Sequence, residues 1–576
     1  MKRTIFSGAR GENITPHRTV FSFFKHQAIL IFFVMMIHSA AFSQPNKVWT
    51  QEINSAGSGR DWATFTMEDA DGNIVGNGFT SFGGDVVPAI YKLDKNGTHL
   101  WTNPKWINQC GSGQYNYGQC GSMIQKKSGT TFGNYLVITK EKPCSGGVDR
   151  TAVYEIEKTT GAVVASNLNV FSALSWATSG GSGILQKPDQ SGYIIIGFFA
   201  TSLSGQKDIY VATLNNSLQL ESRPVNLCAG NCMNGINVCT YGLSIGDDRP
   251  SSIEYIYSGG RSAEGDKTGD RLSNGGYFLG SHVGYIISGF SRNSSGNDDV
   301  YILRIKTDLC PVYEDWINSA TLPSYIWARQ YTTSNNCSPA TLSANDIGGK
   351  VIQLPNNILL FGCHNGFEYV FDKGYAISAV FNEYRCSGDC LAGCPLGEYK
   401  EGDAALLLYK DFELYSYSCT PSHGLVKALN VAHMSGADFG FSSIYMKGVG
   451  AQKFISFGSS RDNGVIPSGS TSTHFYMLQT DLNGIRDWSK VFQGLTPNVG
   501  GCGFGLDFLD GGVSPLFDAG FIVSGNNGNN NHDAVFIRLS HTCGVDPVLT
   551  TVINPNPPHG VTWNTPRTID GEVRIV

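Results

Sequence analysis

Between Ala63 and Trp101 the chain reads Ala63-Thr-Phe-Thr-Met-Glu68, Asp69-Ala-Asp-Gly-Asn73 and Ile74-Val-Gly-Asn-Gly78. A polar loop with Gly83, Gly84 and Asp85 follows, then Val86 to Leu93, Asp94-Lys-Asn-Gly97 and Leu100-Trp101. The first piece alternates as a half-buried strand does, and the second consists of residues that favour turns. Strand, turn, strand, Gly/Asp loop, strand, turn and a strand bearing Trp make one antiparallel four-stranded meander.

Three markers repeat this unit downstream. A glycine closes the second strand: Val-Gly-Asn-Gly78, Ile-Ile-Ile-Gly197, Ile-Ile-Ser-Gly289, Leu-Leu-Phe-Gly362, Ile-Ser-Phe-Gly458 and Ile-Val-Ser-Gly525. An aspartate opens the third strand at Asp85, Asp208, Asp299, Asp403 and Asp533, and a tryptophan marks the fourth at Trp49, Trp101, Trp327 and Trp488. A degenerate unit around Gly121–Gln125, Tyr135–Lys140 and Ala152–Glu157 lacks the glycine and carries its aspartate early, at Asp149. The third strands number seven: Val86–Leu93, Ala152–Glu157, Ile209–Leu214, Val300–Lys306, Ala404–Lys410, His474–Thr480 and Ala534–Leu539.

The ends decide how the units are arranged. Lys47-Val-Trp-Thr-Gln-Glu-Ile53 matches a fourth strand with no unit before it, and the last unit ends at Leu539 without one. A ring in which the N-terminal strand completes the last unit removes both open edges. The sequence therefore predicts an all-β fold: a seven-bladed β-propeller of four-stranded antiparallel blades over about Lys47 to Asp546, closed by the N-terminal strand. The repeat, quoted from Asp71-Gly-Asn-Ile-Val-Gly-Asn-Gly78 to Leu93-Asp-Lys-Asn-Gly97 and Trp101, resembles the delta-60-type propeller repeats of exported bacterial proteins. That resemblance implies fold and export, and such repeats carry no catalytic residues to transfer.

Residues 1–43 differ in kind. Lys2, Arg3, Arg10, Arg18 and Lys25 precede the apolar run Ala28 to Met36, and Ala41 and Ser43 occupy the small-residue positions of a cleavage site. This reads as a signal peptide with a mature start at Gln44. Roughly 15 apolar residues fall short of the ~20 that span a bilayer, so no membrane span is expected after signal removal. The tail, 547–576, contains Asn554-Pro-Asn-Pro-Pro558. It resembles the start of the C-terminal sorting domains of type IX secretion, which attach proteins to the surface of Gram-negative bacteria. The Gly-Lys-rich sandwich that ends such domains does not follow. The tail therefore reads either as the beginning of a truncated sorting domain or as a Pro-rich linker. A secreted or surface location outside a Gram-negative cell is expected.

Fifteen cysteines suit an oxidising compartment, and the odd number leaves at least one unpaired or intermolecular. The close sets are Cys110 with Cys120, Cys228/Cys232/Cys239, and Cys386/Cys390/Cys394, each read as lying in a loop insertion. Disulfides are expected within the last set and between Cys110 and Cys120.

Bulk composition narrows the function. Seventy glycines, 11% aromatics and 15% charged residues fit short strands and tight turns. A net charge of −6 without a basic stripe argues against nucleic acid as partner. The recurrent aspartates read as turn-setting acceptors rather than metal ligands. Cys386, Cys390 and Cys394 with His364 lack the paired spacing of a zinc site, and Gly501-Cys-Gly-Phe-Gly505 has no following helix to form a phosphate cradle. No G-x-S-x-G or H-E-x-x-H occurs. No cofactor, metal or catalytic set is expected. The reading is a monomeric propeller that binds a protein or glycan through two insertions, Cys228–Ser281 and Gly366–Gly402. Tyr369, Phe371 and Tyr384 are the expected anchors of the second. The alternative is a carbohydrate-active hydrolase or lyase with acids at the channel mouth.

Overall fold

In the computed structural model the described residues are 47–53, most of 61–310 and, from 328 to 574, mainly the strands. Among them every regular element is a β-strand. No helix is long and apolar enough to cross a membrane. The leader, Tyr384, Cys110, Cys228, Cys386, Cys390, Cys394, His364, Trp327 and the Asn-Pro-rich stretch lie outside the described residues.

The strands form four-stranded antiparallel sheets, numbered here along the chain. Sheet 1 is Asp61–Glu68, Ile74–Phe82, Asp85–Leu93 and Lys105–Trp106. Sheet 2 is Gly118–Ser128, Thr131–Glu141, Arg150–Ile156 and Val163–Asn167, and sheet 3 is Thr178–Gln186, Gly192–Ala200, Asp208–Asn215 and Val238–Tyr241. Sheet 4 is Asp248–Tyr257, His282–Arg292, Asp298–Lys306 and Ala328–Tyr331. Sheet 5 begins with Ile347–Gln353 and Gly374–Phe381, and sheet 6 with Asp438–Lys447 and Gln452–Ser460. Sheet 7 joins Gly512–Pro515, Phe521–Asn526 and Ala534–Leu539 to the N-terminal strand, Lys47–Ile53. The last pairing runs antiparallel from Lys47 opposite Leu539 to Ile53 opposite Ala534. Each sheet packs its first strand on the preceding sheet, and Asp61–Glu68 of sheet 1 packs on the strands of sheet 7.

Apolar side chains from facing sheets fill the space between them. Ile138, Val153, Ile195 and Tyr210 meet between sheets 2 and 3, and Ile196, Val211, Tyr255 and Ile287 between sheets 3 and 4. The central strands are covered on both faces, which is why Gly192–Ala200 is buried at every position and reads as a continuous apolar run.

The recurrent glycine has a different cause from the one its spacing suggests. Gly78, Gly197, Gly289 and Gly458 lie inside their second strands rather than closing them. Each stands opposite a bulge in the first strand, where the register shifts: Ala63/Phe65, Gly181/Gly183, Pro250/Ser252 and Gly440/Ser442. The bulge turns a carbonyl toward the glycine. A Cβ on Gly78 would sit 1.9 Å from the Trp62 oxygen, one on Gly197 1.9 Å from that of Gly180, and one on Gly289 2.1 Å from that of Arg249.

Side chains of one sheet tie down the turns of the next. The Trp49 indole N–H donates to the Lys95 carbonyl at 3.0 Å, and the ring lies on Gly97, whose φ of 86° is left-handed. Trp101 repeats this on the following sheet, donating to Thr159 O at 3.0 Å beside Gly161. These tryptophans therefore pack between sheets. Trp101, expected in a fourth strand, precedes it instead. An extra bridge between Leu93 and His99 lengthens the turn and delays the strand to Lys105–Trp106. Glutamines act similarly at two further inter-sheet joints. Gln186 exchanges both amide bonds with the Lys127 backbone, and Gln353 does so with Tyr257.

Two expected insertions are reorganised. Cys228–Ser281 is no single loop, because it contains the fourth strand of sheet 3 and the first strand of sheet 4. The insertion proper joins the first and second strands of sheet 4 and carries the ribbon Asp270–Arg271 with Tyr277–Phe278. Sheet 5 has a corresponding ribbon, Ile358–Phe361 with Glu368–Phe371, at the same connection. Gly362 thus follows a ribbon strand, and the second strand of sheet 5 is Gly374–Phe381, inside the segment read as an insertion. An alternating apolar run flanked by glycine looks the same in a ribbon and in a sheet, so the sequence pattern could not separate them.

Candidate functional site

In an antiparallel meander the 1–2 and 3–4 connections share one end, and the 2–3 and sheet-to-sheet connections share the other. The ribbon of sheet 4 lies at the first end and is engaged by its neighbours. Arg271 donates to Glu68 O at 3.2 Å, Lys127 Nζ to Arg271 O at 2.9 Å, and Gln125 N to Ser273 O at 3.1 Å. Gln186 N also points to Ser273 Oγ, at 3.4 Å. This insertion bridges the first strands of sheets 1, 2 and 3. Many of its polar groups are thereby committed to the fold.

At the opposite end, sheets 2, 3 and 4 bring charged side chains together. Lys140 is the penultimate residue of the second strand of sheet 2, and Asp149 lies in the connection after it. Lys207 precedes the third strand of sheet 3, while Asp247 and Arg249 flank the start of sheet 4. All three cations surround the Phe198 ring, with Lys140 Nζ 5.8 Å, Lys207 Nζ 5.4 Å and the Arg249 guanidinium 5.2 Å from its centroid. Phe198 is itself buried. Gly180, whose added Cβ would lie 2.6 Å from that ring, leaves the room it needs.

Two carboxylates oppose the three cations. Asp149 lies 3.8 Å from Lys140, and Asp247 lies 3.7 Å from Lys207 and 3.4 Å from Arg249. All five side chains are partly buried, between 13% and 26% exposed, so the charges act on one another with less screening than at an open surface. Burial pushes the Lys140 ammonium below its ordinary value; Asp149 works against this and Arg249 adds to it. Lys207 is lowered too, by burial first and then by Arg249. The Asp149 Oδ1 atom is buried and accepts no hydrogen bond among the described residues.

Asp208, next in sequence to Lys207, has other surroundings. Burial, with the neighbouring Asp248 and Asp247 carboxylates, pushes it up to about 6. Gln206 donates to it at 3.3 Å. Asp248 is fully buried and accepts from the Ser291 hydroxyl at 2.5 Å. The aspartate that opens the third strand is thus a perturbed acid in this sheet.

Asp69, in the turn between the first two strands of sheet 1, holds that turn together. Its Oδ1 accepts the Asp71 and Asn73 N–H groups at 2.9 Å, and its Oδ2 takes the Tyr135 hydroxyl at 2.6 Å and Lys92 at 3.2 Å. Burial raises its pKa, but the Tyr135 hydroxyl and the other donors outweigh this and hold it below the ordinary value. No cluster of metal-ligating side chains occurs among the described residues.

Among the cysteines, Cys232 and Cys239 form a disulfide. Cys120 does not pair with Cys110. It is a free thiol on the first strand of sheet 2, 1% exposed among Val75, Ile90, Tyr135 and Val137. Its Sγ lies 3.9 Å from Ala89 O of sheet 1, as a core side chain would. Burial pushes this thiol up to about 12. Iodoacetamide at pH 8 should leave Cys120 unmodified in the native protein and alkylate it fully in denaturant; mass spectrometry finding it modified in the native protein would contradict this burial.

The expected anchors Tyr369 and Phe371 lie on the ribbon of sheet 5, opposite Leu360 and Ile358. They are at the 1–2 end, away from the charged cluster. The sequence reading did not single out Lys140, Lys207, Asp247 or Arg249. The available signal was the charged pair Lys207-Asp208 and the run Asp247-Asp-Arg249, both at connections predicted to share one end.

No family model matches the chain, and no curated protein matches it. Among solved structures it is similar to a phage phi92 endosialidase, at 11% identity and a TM-score of 0.35, over 93% of this chain and 74% of that one. It is also similar to Sqt1 from Chaetomium thermophilum, at 10% identity and a TM-score of 0.32, over 86% of this chain and 99% of that one. Neither likeness is strong enough to bear on activity.

Proposed function

We propose that the chain is an exported seven-bladed β-propeller, built of delta-60-type repeats, that binds a protein or glycan outside the cell without transforming it. The pairing of Lys47–Ile53 with Ala534–Leu539 supports closure of the ring. The observation that carries the binding reading is the convergence of half-buried charged side chains from three successive sheets at the end formed by the 2–3 and sheet-to-sheet connections. Rigid strands fix such groups, while connections are free to vary. The engaged ribbon of sheet 4 moves the expected contact surface away from that insertion and toward this end. Tyr369, Phe371 and Tyr384 remain the proposed anchors of a second contact.

A hydrolase is the second reading, and Asp208 is what favours it. A carboxyl pushed up to about 6 is suited to donate a proton near neutrality. Glycan and surface-protein arrays, combined with a reducing-end assay, separate the two. The binding reading expects saturable capture with no new reducing ends. Product formation that Asp208→Asn abolishes would replace it with the hydrolase. Export is tested on the secreted protein, whose N-terminus should begin at Gln44; an intact leader on an intracellular protein would contradict it.

A further inference from the structure

The disulfide between Cys232 and Cys239 closes a short turn, and its two sulfurs have unlike surroundings. Arg223 lies against one of them: its Nη1 donates to Cys239 Sγ at 2.8 Å and to Asn237 Oδ1 at 3.1 Å. Its Nη2 donates to Asp308 O at 3.0 Å and reaches Cys310 Sγ, itself part of a disulfide, at 3.5 Å. Arg223 and Cys239 are buried, whereas Cys232 is only half-buried. One end of the bond is thus open to solvent, and the other touches a fixed positive charge. The turn does not depend on the bond. Met233 N donates to Val238 O at 2.8 Å, Asn237 N to Glu221 O at 2.8 Å and Arg223 N to Gly235 O at 3.4 Å. Backbone bonds therefore hold this hairpin with the sulfurs apart, and closing so short a loop constrains the unfolded chain less than closing a long one.

We propose that Cys232–Cys239 is an exchange site for a small-molecule thiol, with Cys232 the sulfur attacked and Cys239 the leaving sulfur held by Arg223. An incoming thiolate bonds to Cys232 Sγ, the bond between Cys232 and Cys239 breaks, and its electron pair stays on Cys239 Sγ as a thiolate. A second thiolate attacks the mixed disulfide and releases Cys232. Two small thiols are then oxidised to one disulfide while the protein's disulfide is reduced to two thiols. A leaving thiol of lower pKa departs faster. Burial alone pushes a thiol up, as it does at Cys120. At Cys239 the guanidinium in contact opposes this, and it stays charged at every working pH. The burial that desolvates the thiolate also leaves that charge poorly screened. Arg223 spans the joint between sheets 3 and 4, because Asp308 follows the third strand of sheet 4. The exchange site is therefore placed at that joint, and it does not rest on the binding reading above.

The test treats the oxidised protein with reduced glutathione at pH 7, quenches in acid, and maps the opened cysteines by mass spectrometry after alkylation in denaturant. Glutathione should appear on Cys232, with Cys239 a free thiol, before the disulfide of Cys310 opens. Arg223→Gln, checked for an unchanged melting temperature, should slow this step about tenfold or more. Should that variant misfold, the wild-type protein carries a second readout. After selective reduction, thiolate absorbance at 240 nm should show one transition below about pH 7.5. Cys120, pushed up to about 12, adds nothing in that range. Glutathione on Cys239, earlier opening at Cys310, an unchanged rate in folded Arg223→Gln, or both new thiols titrating near or above the ordinary ~8.5 would each overturn the proposal. A bond that resists glutathione until the protein is denatured would overturn it as well.

Discussion

Removing Lys47–Ile53 should unfold or aggregate the protein at temperatures where the intact protein is stable. The strand occupies one edge of sheet 7, paired from Lys47 to Ile53 with Leu539 to Ala534. Ile53 is 3% exposed in a core shared with Ala63, Tyr91 and Phe536. Trp49 also holds the Asp94–Gly97 turn of sheet 1, through its indole N–H and its contact with Gly97. Lost ladder bonds at about 1 kcal/mol each, and about 2 kcal/mol for Ile53, amount to a loss on the order of 5 kcal/mol or more. That is a large share of ordinary domain stability. The bared edge of Ala534–Leu539 would also invite pairing with another molecule. Thermal unfolding with light scattering reads both effects. A synthetic peptide of residues 47–53 should partly restore solubility, because only an edge is missing. A deletion variant that melts like the full chain would refute the pairing.

Gly197→Val should cost about 3 kcal/mol, the upper part of the range for an overpacked core site. The added Cβ would lie 1.9 Å from the Gly180 carbonyl oxygen and 2.5 Å from the Tyr210 hydroxyl. The carbonyl belongs to the bulged first strand, so the backbone itself must move. Tyr210 is fully buried and hydrogen-bonded to Thr151 of the neighbouring sheet, so it cannot swing aside freely. Gly133→Ala is the control, because a Cβ added there would meet nothing within 4 Å. That change should stay within about 0.5 kcal/mol. Urea midpoints for the two variants read the difference. Equal midpoints would remove the bulge as the reason for the repeated glycine.

Much of the architecture was legible because each unit repeats the same physical problem. Alternating strands, Asp-x-x-Gly turns and the orphan fourth strand at Trp49 were all visible as patterns, and the strand starts at Asp85, Asp208 and Asp403 match the sequence reading. What escaped was the cause of the glycine, since a bulge depends on the register of two strands distant in sequence. The Gly362 marker failed because a ribbon hairpin and a sheet hairpin share one periodicity. One consequence is practical: replacing Gly366–Gly402 by a turn would delete Gly374–Phe381 from sheet 5, so a loop-removal variant should replace residues 355–373 instead. The candidate site was the least legible part. Lys140, Lys207 and Arg249 are far apart in the chain, and only the packing of three sheets brings them to one ring. The Cys120 reading failed for a related reason: a cysteine beside glycines looks like a loop residue until the strand that contains it is known.

Electron cryomicroscopy of the protein, averaged in projection down the central axis of the proposed ring, tests the closure on which the functional reading is built. The account predicts an unbroken ring of seven sectors, with the N-terminal strand completing the last. A different number of sectors, or a gap between the sectors holding Asp61–Glu68 and Ala534–Leu539, would contradict it.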